Sequence, residues 1–376
     1  MKKIGFVFTY KSGATLNRIL SMCNVLSDHE IHLVGPLKSL QGYENYLKKT
    51  KIFFHEIPLS KNKYSNFLFR YLSEFKYSLK CSKKINSLLC DYQIISVPFI
   101  SLIISSKIFN NKSCQILDIR DLVWEYYNKN RFFEKVAFKI LKFIHLHFLK
   151  KYKNITLSNF FELQKLDFDL LSNNKFVISN GVSQTKFNLI QKNLDTHFNS
   201  TKTVITYIGN VGIAQNLWSF IKVIKDFKML QFYIVGDGND YLSITKKLVK
   251  NKIKNVKLVG NVFEKNVIKY YTNTDFLYAK LDSKYSTAIP SKLYEYLSTG
   301  KPIIYSGEGA SIEFLKKFEN IFIINNNEKD INSFLMSINK INFTIKSKKN
   351  IEIIEQNYIR ENISLKLLDV LKINKF

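Results

Sequence analysis

The sequence predicts an α/β protein made of two doubly wound, Rossmann-like domains facing across a cleft. Three observations carry that expectation. Strands and helices alternate through the first half, the alternation lapses into a polar stretch near residue 190, and a second alternating set then begins. A chain of 376 residues is long enough for two domains, each burying its own core. With 46% apolar residues it is globular rather than disordered.

In the first set, Ile4–Thr9 reads as a strand, Ala14–Leu26 as a helix, and Ile31–Val34 and Lys51–Ile57 as strands. A long basic helix follows, then strands at Gln93–Val97 and Gln115–Asp118. Another helix occupies the 130s, with strands at Asn154–Leu157 and Phe176–Ile178 before the turn pair Asn180-Gly181. The polar run "QTKFNLIQKNLDTHFNSTK" breaks the pattern. The second set comprises strands Val204–Ile208, Phe232–Val235, Val256–Val259, Phe276–Tyr278 and Ile303–Tyr305. Helices are expected after Asn216, at Asp240–Asn251, from Glu264, and in "IPSKLYEYLSTGK". These elements divide the chain into a first domain at 1–185, a linker at 186–203 and a second domain at 204–355. The helix at 356–376 is expected to pack back towards the first domain.

Composition narrows the function classes. Met1–Tyr10 imitates a signal peptide, but its apolar run is short, Lys11 ends it and no small-residue cleavage site follows, so a buried first strand is expected. The apolar stretch Ile94–Ser106 is too short to span a bilayer. Cys23, Cys81, Cys90 and Cys114 have no paired spacing, and with six scattered histidines they form no metal signature. They read as reduced thiols of a cytoplasmic protein. The net charge of +27 raises the question of nucleic acid, but no helix-turn-helix, zinc-finger or RNA-recognition signature is present, and no nucleic-acid partner is expected.

The charge is uneven. Asn130–Asn154 carries seven Lys/Arg against one Glu, with Phe133, Ala137, Ile140, Ile144 and Phe148 at helical spacing. Lys61–Lys84 is a second such stretch, with Phe67, Tyr71, Phe75 and Leu79 as its stripe. Two readings stand: both stripes face the core while the lysines are solvated, or the helices lie on an anionic membrane surface, peripheral to the inner face of the cytoplasmic membrane.

The turns after the second-set strands hold the densest chemical signal. "GNVGIAQN" starts at Gly209 and Asn210, "GDGND" at Gly236, and "GNVFEKN" at Gly260 with Val262 and Phe263 inside it. One glycine after a strand is ordinary turn chemistry, but three on successive strands mark one rim of one sheet, where doubly wound folds bind ligands. In "IPSKLYEYLSTGK", Pro290 pre-sets a first helical turn whose amides attract an anion, and Lys292 adds a mobile positive charge. A diphosphate fits both. Glu295, one turn beyond Ser291, is an acceptor-only group suited to two ribose hydroxyls.

These residues resemble the GT-B glycosyltransferases of the large family-4 group. The second half carries "YIGNVGIAQNL", "YIVGDGND", "VKLVGNVFEKNVIKYYTNTDFLYAKL" and "IPSKLYEYLSTGKPII". In the first half, "YKSGATLNRI" is similar to the first glycine-containing loop and "HEIHLV" to the second strand. "LDIRDLVWE" is similar to the "DIRDLWPE" of a bacterial surface-polysaccharide subgroup, and "TLSNF" and "VISNGVSQTKF" also match the family. The resemblance spans nearly the whole chain. It implies that Glu295 holds the donor ribose and that Ser291, Lys292, Gly13, Gly209 and Asn210 lie along the donor diphosphate. Gly236, Val262 and Phe263 would flank the nucleobase, and Thr287, Ala288 and Ile289 the donor sugar. Arg120 and Asp121 stand where many members carry a catalytic "HD" pair, with Asp121 assisting the acceptor or merely capping its strand. There are departures: Thr287 replaces the first acid of the family's Glu-x7-Glu motif, and Asn210 and Gln215 replace an Arg and a Lys.

The resemblance implies a retaining transfer from a nucleotide-sugar, UDP-linked and N-acetylated by preference, with no metal and no cofactor. The acceptor would be a polyprenyl-diphosphate-linked or other saccharide in capsule or O-antigen synthesis. Two alternatives remain: a non-transferase GT-B enzyme such as a nucleotide-sugar epimerase, and a non-catalytic nucleotide-binding homologue.

Overall fold

The computed structural model describes residues 1–8, 13–36, 51–58, 67–97, 100–110, 112–122, 132–167, 173–194, 201–262, 264–338 and 346–373. The chain separates into two compact units, one of Met1–Asn180 with Arg360–Phe376, the other of Gly181–Ile359.

The first unit holds a seven-stranded parallel sheet: β1 (Lys3–Val7), β2 (Glu30–Gly35), β3 (Ile52–Glu56), β4 (Tyr92–Val97), β5 (Cys114–Ile119), β6 (Asn154–Leu157) and β7 (Asn174–Val177), in the order β3-β2-β1-β4-β5-β6-β7. The central strands are buried on both faces because helices cover both. One core layer contains Val7, Ile95, Leu117 and Leu157 from the strands with Tyr77, Cys81 and Ile85 from helix Phe67–Ser87. Ile100–Ile108, which overlaps the end of the apolar stretch Ile94–Ser106, is a helix packed against Phe67–Ser87. Serines tie the two together, Ser78 to Ser101 at 2.8 Å and Ser82 to Ser105 at 2.7 Å. Helix Arg360–Ser364 packs on Gly13–Val25, and from the helix Lys366–Ile373 that follows, the Leu371 carbonyl accepts from the Tyr92 hydroxyl at 3.3 Å.

The second unit holds a six-stranded parallel sheet: β8 (Thr203–Ile208), β9 (Leu230–Val235), β10 (Val256–Gly260), β11 (Phe276–Lys280), β12 (Ile303–Ser306) and β13 (Ile321–Ile323), in the order β10-β9-β8-β11-β12-β13. In both sheets the order reverses beside the first strand, which opens a crevice at the carboxyl ends of β1/β4 and of β8/β11. In the core beneath the second crevice Phe220 stacks on Tyr278, and Phe232 meets both rings edge to face.

Several elements differ from the sequence expectation. Gln184–Asn193, read as the start of a polar linker, is a helix: Ser183 caps it by accepting from the Lys186 amide, and Phe187 and Ile190 bury one face. The short strand β13 and the helix Glu328–Ser337 complete the second sheet beyond the expected elements. The basic stripes also divide. On Phe132–Leu149, His145 and Leu149 are buried and Ile144 and Phe148 half-buried, while Val136, Ile140 and Phe143 face solvent. On Phe67–Ser87 the stripe residues Tyr71, Phe75 and Leu79 are half-buried and the core face is Tyr77, Cys81 and Ile85. Phe67 lies in that helix and Phe133 and Ala137 in the other, with no side chain described.

Candidate functional site

Above β8 and β11 the sheet opens because the two strands part. They pair only at Phe276↔Ile205 and Leu277↔Thr206. The Gly209 amide bonds to Val235 of β9, so the alternate residue Ile208 points its backbone groups towards the parting side. Tyr296 fills that gap: its hydroxyl accepts from the Ile208 amide at 2.7 Å and donates to the Ile208 carbonyl at 3.1 Å. This pins helix Ser291–Leu297 to the end of β8. Pro290 stands one position outside that helix, as its N-cap rather than in its first turn.

The turns of the rim are knitted together. The Val211 amide donates to the Asp237 carbonyl at 2.9 Å, and the Asp240 amide to the Val211 carbonyl at 3.0 Å. Gly236 has φ +136°, and a Cβ there would lie 1.8 Å from the Gly209 carbonyl oxygen, so only glycine lets the turns after β8 and β9 approach so closely. The Asp282 amide donates to the Ala214 carbonyl at 2.9 Å, joining the turns on the two sides of the crevice. Asn210 sits in the first turn, its carbonyl held by the Tyr207 hydroxyl at 2.7 Å and its amide group 3.3 Å from Gln215.

Helix Ser291–Leu297 carries Lys292 and Glu295 on one side, and Glu295 is buried. Its Oε2 accepts from Lys186 Nζ at 2.9 Å, from Lys292 Nζ at 2.9 Å and from the Tyr271 hydroxyl at 2.5 Å; Lys292 also reaches Oε1 at 3.2 Å. Burial alone would raise its pKa, but the two lysines and the tyrosine hold the carboxyl far below the usual carboxylate range. Two ammoniums face one carboxylate, so the cluster keeps one positive charge. Lys292, with its side chain 34% exposed, is the outer member; Lys186, at 11%, is the inner one.

The other second-unit residues singled out from the sequence lie around this rim. Thr287 and Ile289 are buried between the turn after β11 and the helix, and the Ala288 carbonyl accepts from the Ser311 hydroxyl at 2.8 Å. Val262 is half-buried just past β10, and Phe263 lies outside the described residues. Lys186, Tyr271 and Tyr296 escaped the sequence reading. So did Lys280, buried at the end of β11, which donates to the Asn216 carbonyl at 3.1 Å and to the Ser219 hydroxyl at 2.5 Å and is bonded to Asn326. Burial lowers its pKa to about 8. The Ser183 cap with Phe187 and Ile190 in helical register was the available signal for the helix that carries Lys186.

In the first unit, the carboxyl ends of β5 and β6 hold a second charged cluster. Asp118 is fully buried, its oxygens taken by Arg18 at 2.8 and 3.3 Å, Thr156 at 2.8 Å and Ser96 at 3.1 Å. Burial opposes its ionisation, yet the guanidinium holds its pKa below the ordinary value. Arg18 also donates to the Ile178 carbonyl at 2.6 Å, which makes the pair a brace between β5 and the end of β7. Arg120 and Asp121 follow β5. Arg120 bonds to Thr15 in helix Gly13–Val25, which Gly13 opens, and its Nε has no partner among the described residues. Asp121 is half-buried, and burial raises its pKa to about 6 against the pull of Arg120. Glu162 is fully buried, with Oε2 bonded to the Ser158 amide and hydroxyl and Oε1 unpartnered among the described residues. Burial, then the neighbouring Asp121, push its pKa well up. No group of His, Cys, Asp and Glu among the described residues is placed to hold a metal ion.

Residues 191–357, within the second unit, match the family described as Glycosyl transferases group 1. Two parallel-sheet α/β units of seven and six strands are the architecture of the GT-B glycosyltransferases, and solved structures of that fold align along the whole chain. Sucrose-phosphate synthase from Thermosynechococcus elongatus superposes with a TM-score of 0.75 at 11% identity, covering 99% of this chain and 98% of its own. Anabaena HepE in complex with UDP and glucose gives 0.70 at 14%, covering 99% and 100%. A glycosyltransferase from Rickettsia africae gives 0.67 at 16%, covering 100% and 99%. No curated protein matches the chain by sequence.

Proposed function

We propose that this protein transfers a sugar from a nucleotide-sugar, UDP-linked, to a saccharide or lipid-linked acceptor in surface-polysaccharide synthesis, with retention and without a metal. One observation carries the reading: the Lys186–Glu295–Lys292 cluster, with its surplus positive charge, sits at the crevice of the sheet in the unit that matches the group 1 family. The neighbour HepE was solved with UDP and glucose, which supports uridine as the base. The resemblance of the motifs supports an N-acetylated sugar.

In this reading the nucleoside diphosphate departs, positive charge develops on the sugar ring, and the acceptor hydroxyl attacks from the same face. The developing negative charge on the diphosphate needs fixed positive partners, and Lys292 is the more exposed ammonium of the cluster. Ribose hydroxyls would meet Glu295 at Oε1, which carries the longer of the two Lys292 contacts. Within the second unit Gly209, Asn210 and Ser291 would line the diphosphate, Gly236 and Val262 the base, and Thr287, Ala288 and Ile289 the sugar. Calorimetric titration with UDP and GDP, without metal, tests this. UDP is expected to bind, and Glu295→Ala and Lys292→Ala to weaken it. If neither nucleotide binds, or both variants bind like wild type, the reading falls.

A lipid-linked acceptor draws support from helix Phe132–Leu149. Val136, Ile140 and Phe143, 42%, 55% and 75% exposed, recur at i, i+4 and i+7 on one face, beside the exposed Lys139 and the half-buried Lys142. No described helix is long and apolar enough to cross a membrane, so contact through this face would be peripheral. Co-sedimentation with phosphatidylglycerol vesicles at low salt is expected, and Ile140→Ser/Phe143→Asp should abolish it. Wild type left in the supernatant would sink this part.

A further inference from the structure

Glu295 is shared unequally by its three donors. Lys186 and Tyr271 approach from the buried side, Tyr271 being fully buried and Lys186 nearly so. Lys292 approaches from the open side and divides itself between both oxygens. Oε2 alone accepts three donors, which is more than its two lone pairs accommodate well. The donor withdrawn at least cost is therefore Lys292, because Oε2 keeps Lys186 and Tyr271 after it leaves. Without Lys186 the balance reverses. Lys292 would be the lone cation on a buried carboxylate, and drawing it away would strand that charge.

We infer that Lys186 is a positioning residue for the donor site: by serving as the resident counter-ion of Glu295, it releases Lys292 to bind the diphosphate of the nucleotide-sugar. Lys186 need not touch the substrate. The inference rests on the nucleotide-sugar reading above and gives a role to a residue of the segment "VISNGVSQTKF" that the resemblance left without one. It also accounts for a lysine on a nearly buried stretch of helix Gln184–Asn193, where a solvated lysine would be expected.

The test compares UDP with uridine by calorimetry, because only the ratio of the two affinities reports the diphosphate. In Lys186→Met that ratio is expected to fall about tenfold or more, with uridine affinity held within about twofold. Lys186→Gln, a polar replacement checked for folding by circular dichroism, should show the same loss. In the double variant Lys186→Met/Glu295→Gln no carboxylate remains to detain Lys292, so the ratio should recover to within about threefold of wild type. Three results overturn the inference: an unchanged ratio in the single variants, a parallel loss of uridine binding, or a double variant as impaired as the single. The last would make Lys186 a direct phosphate ligand. Failure of wild type to bind any nucleotide would instead strike the functional reading itself.

Discussion

Tyr296→Phe tests how the site is held to the sheet. The change keeps the ring and removes one oxygen. That oxygen satisfies both the amide and the carbonyl of Ile208, on the side where β11 has parted from β8. Tyr296 is 1% exposed, so water reaches the stranded groups poorly. An unsatisfied buried backbone group costs about 1–3 kcal/mol, so the pair costs roughly 2–5 kcal/mol. In a unit of this size that lowers the melting temperature by about 5–15 °C. Scanning calorimetry of the full chain measures it, and hydrogen exchange should show the Ile208 amide losing protection while core amides of β9 keep theirs. Nucleotide affinity should fall with it, because Lys292 and Glu295 lie on the same helix. A melting shift of less than about 2 °C would refute the reasoning, since Ile208 would then have another partner.

Other consequences follow from the same geometry. Gly236→Ala puts a Cβ 1.8 Å from the Gly209 oxygen at φ +136°, so it should cost about 2–5 kcal/mol and abolish nucleotide binding; chemical denaturation measures the first and calorimetry the second. Lys280→Met removes the ammonium from the Asn216 carbonyl, and a loss of about 1–3 kcal/mol with faster exchange across residues 209–216 is expected. Asp121 is raised from its ordinary 3.8 to about 6 in the folded chain, so its neutral form contributes stability that is complete below pH 4 and lost as pH climbs past 6. That loss is at most about 3 kcal/mol, and Asp121→Asn should remove it, flattening the stability profile over this window in denaturant titrations. An unaltered profile would place the titration elsewhere.

Strand positions were legible because a buried parallel strand is a short apolar run, and the sheet centres β1, β4, β5, β8, β9 and β11 all carry one. Gln184–Asn193 was not, because its apolar residues are few and its polar ones dominate any window; the Ser183 cap is a weak signal without the packing. Arg18 and Asp118 illustrate a different limit. Each is an ordinary charged residue in sequence, and only strand order brings them to 2.8 Å.

The sequence by itself determined the two alternating sets, the glycine turns at one rim and the short helix bearing Lys292 and Glu295, because each is encoded within about one turn or strand of neighbouring residues. Tertiary structure alone decided what Glu295 touches. Lys186, Tyr271 and Lys292 converge on it from three helices, and Tyr296 reaches a strand 88 residues away. A carboxylate in a sequence has four vacant acceptor sites, and which donors fill them depends on burial, which no local pattern records.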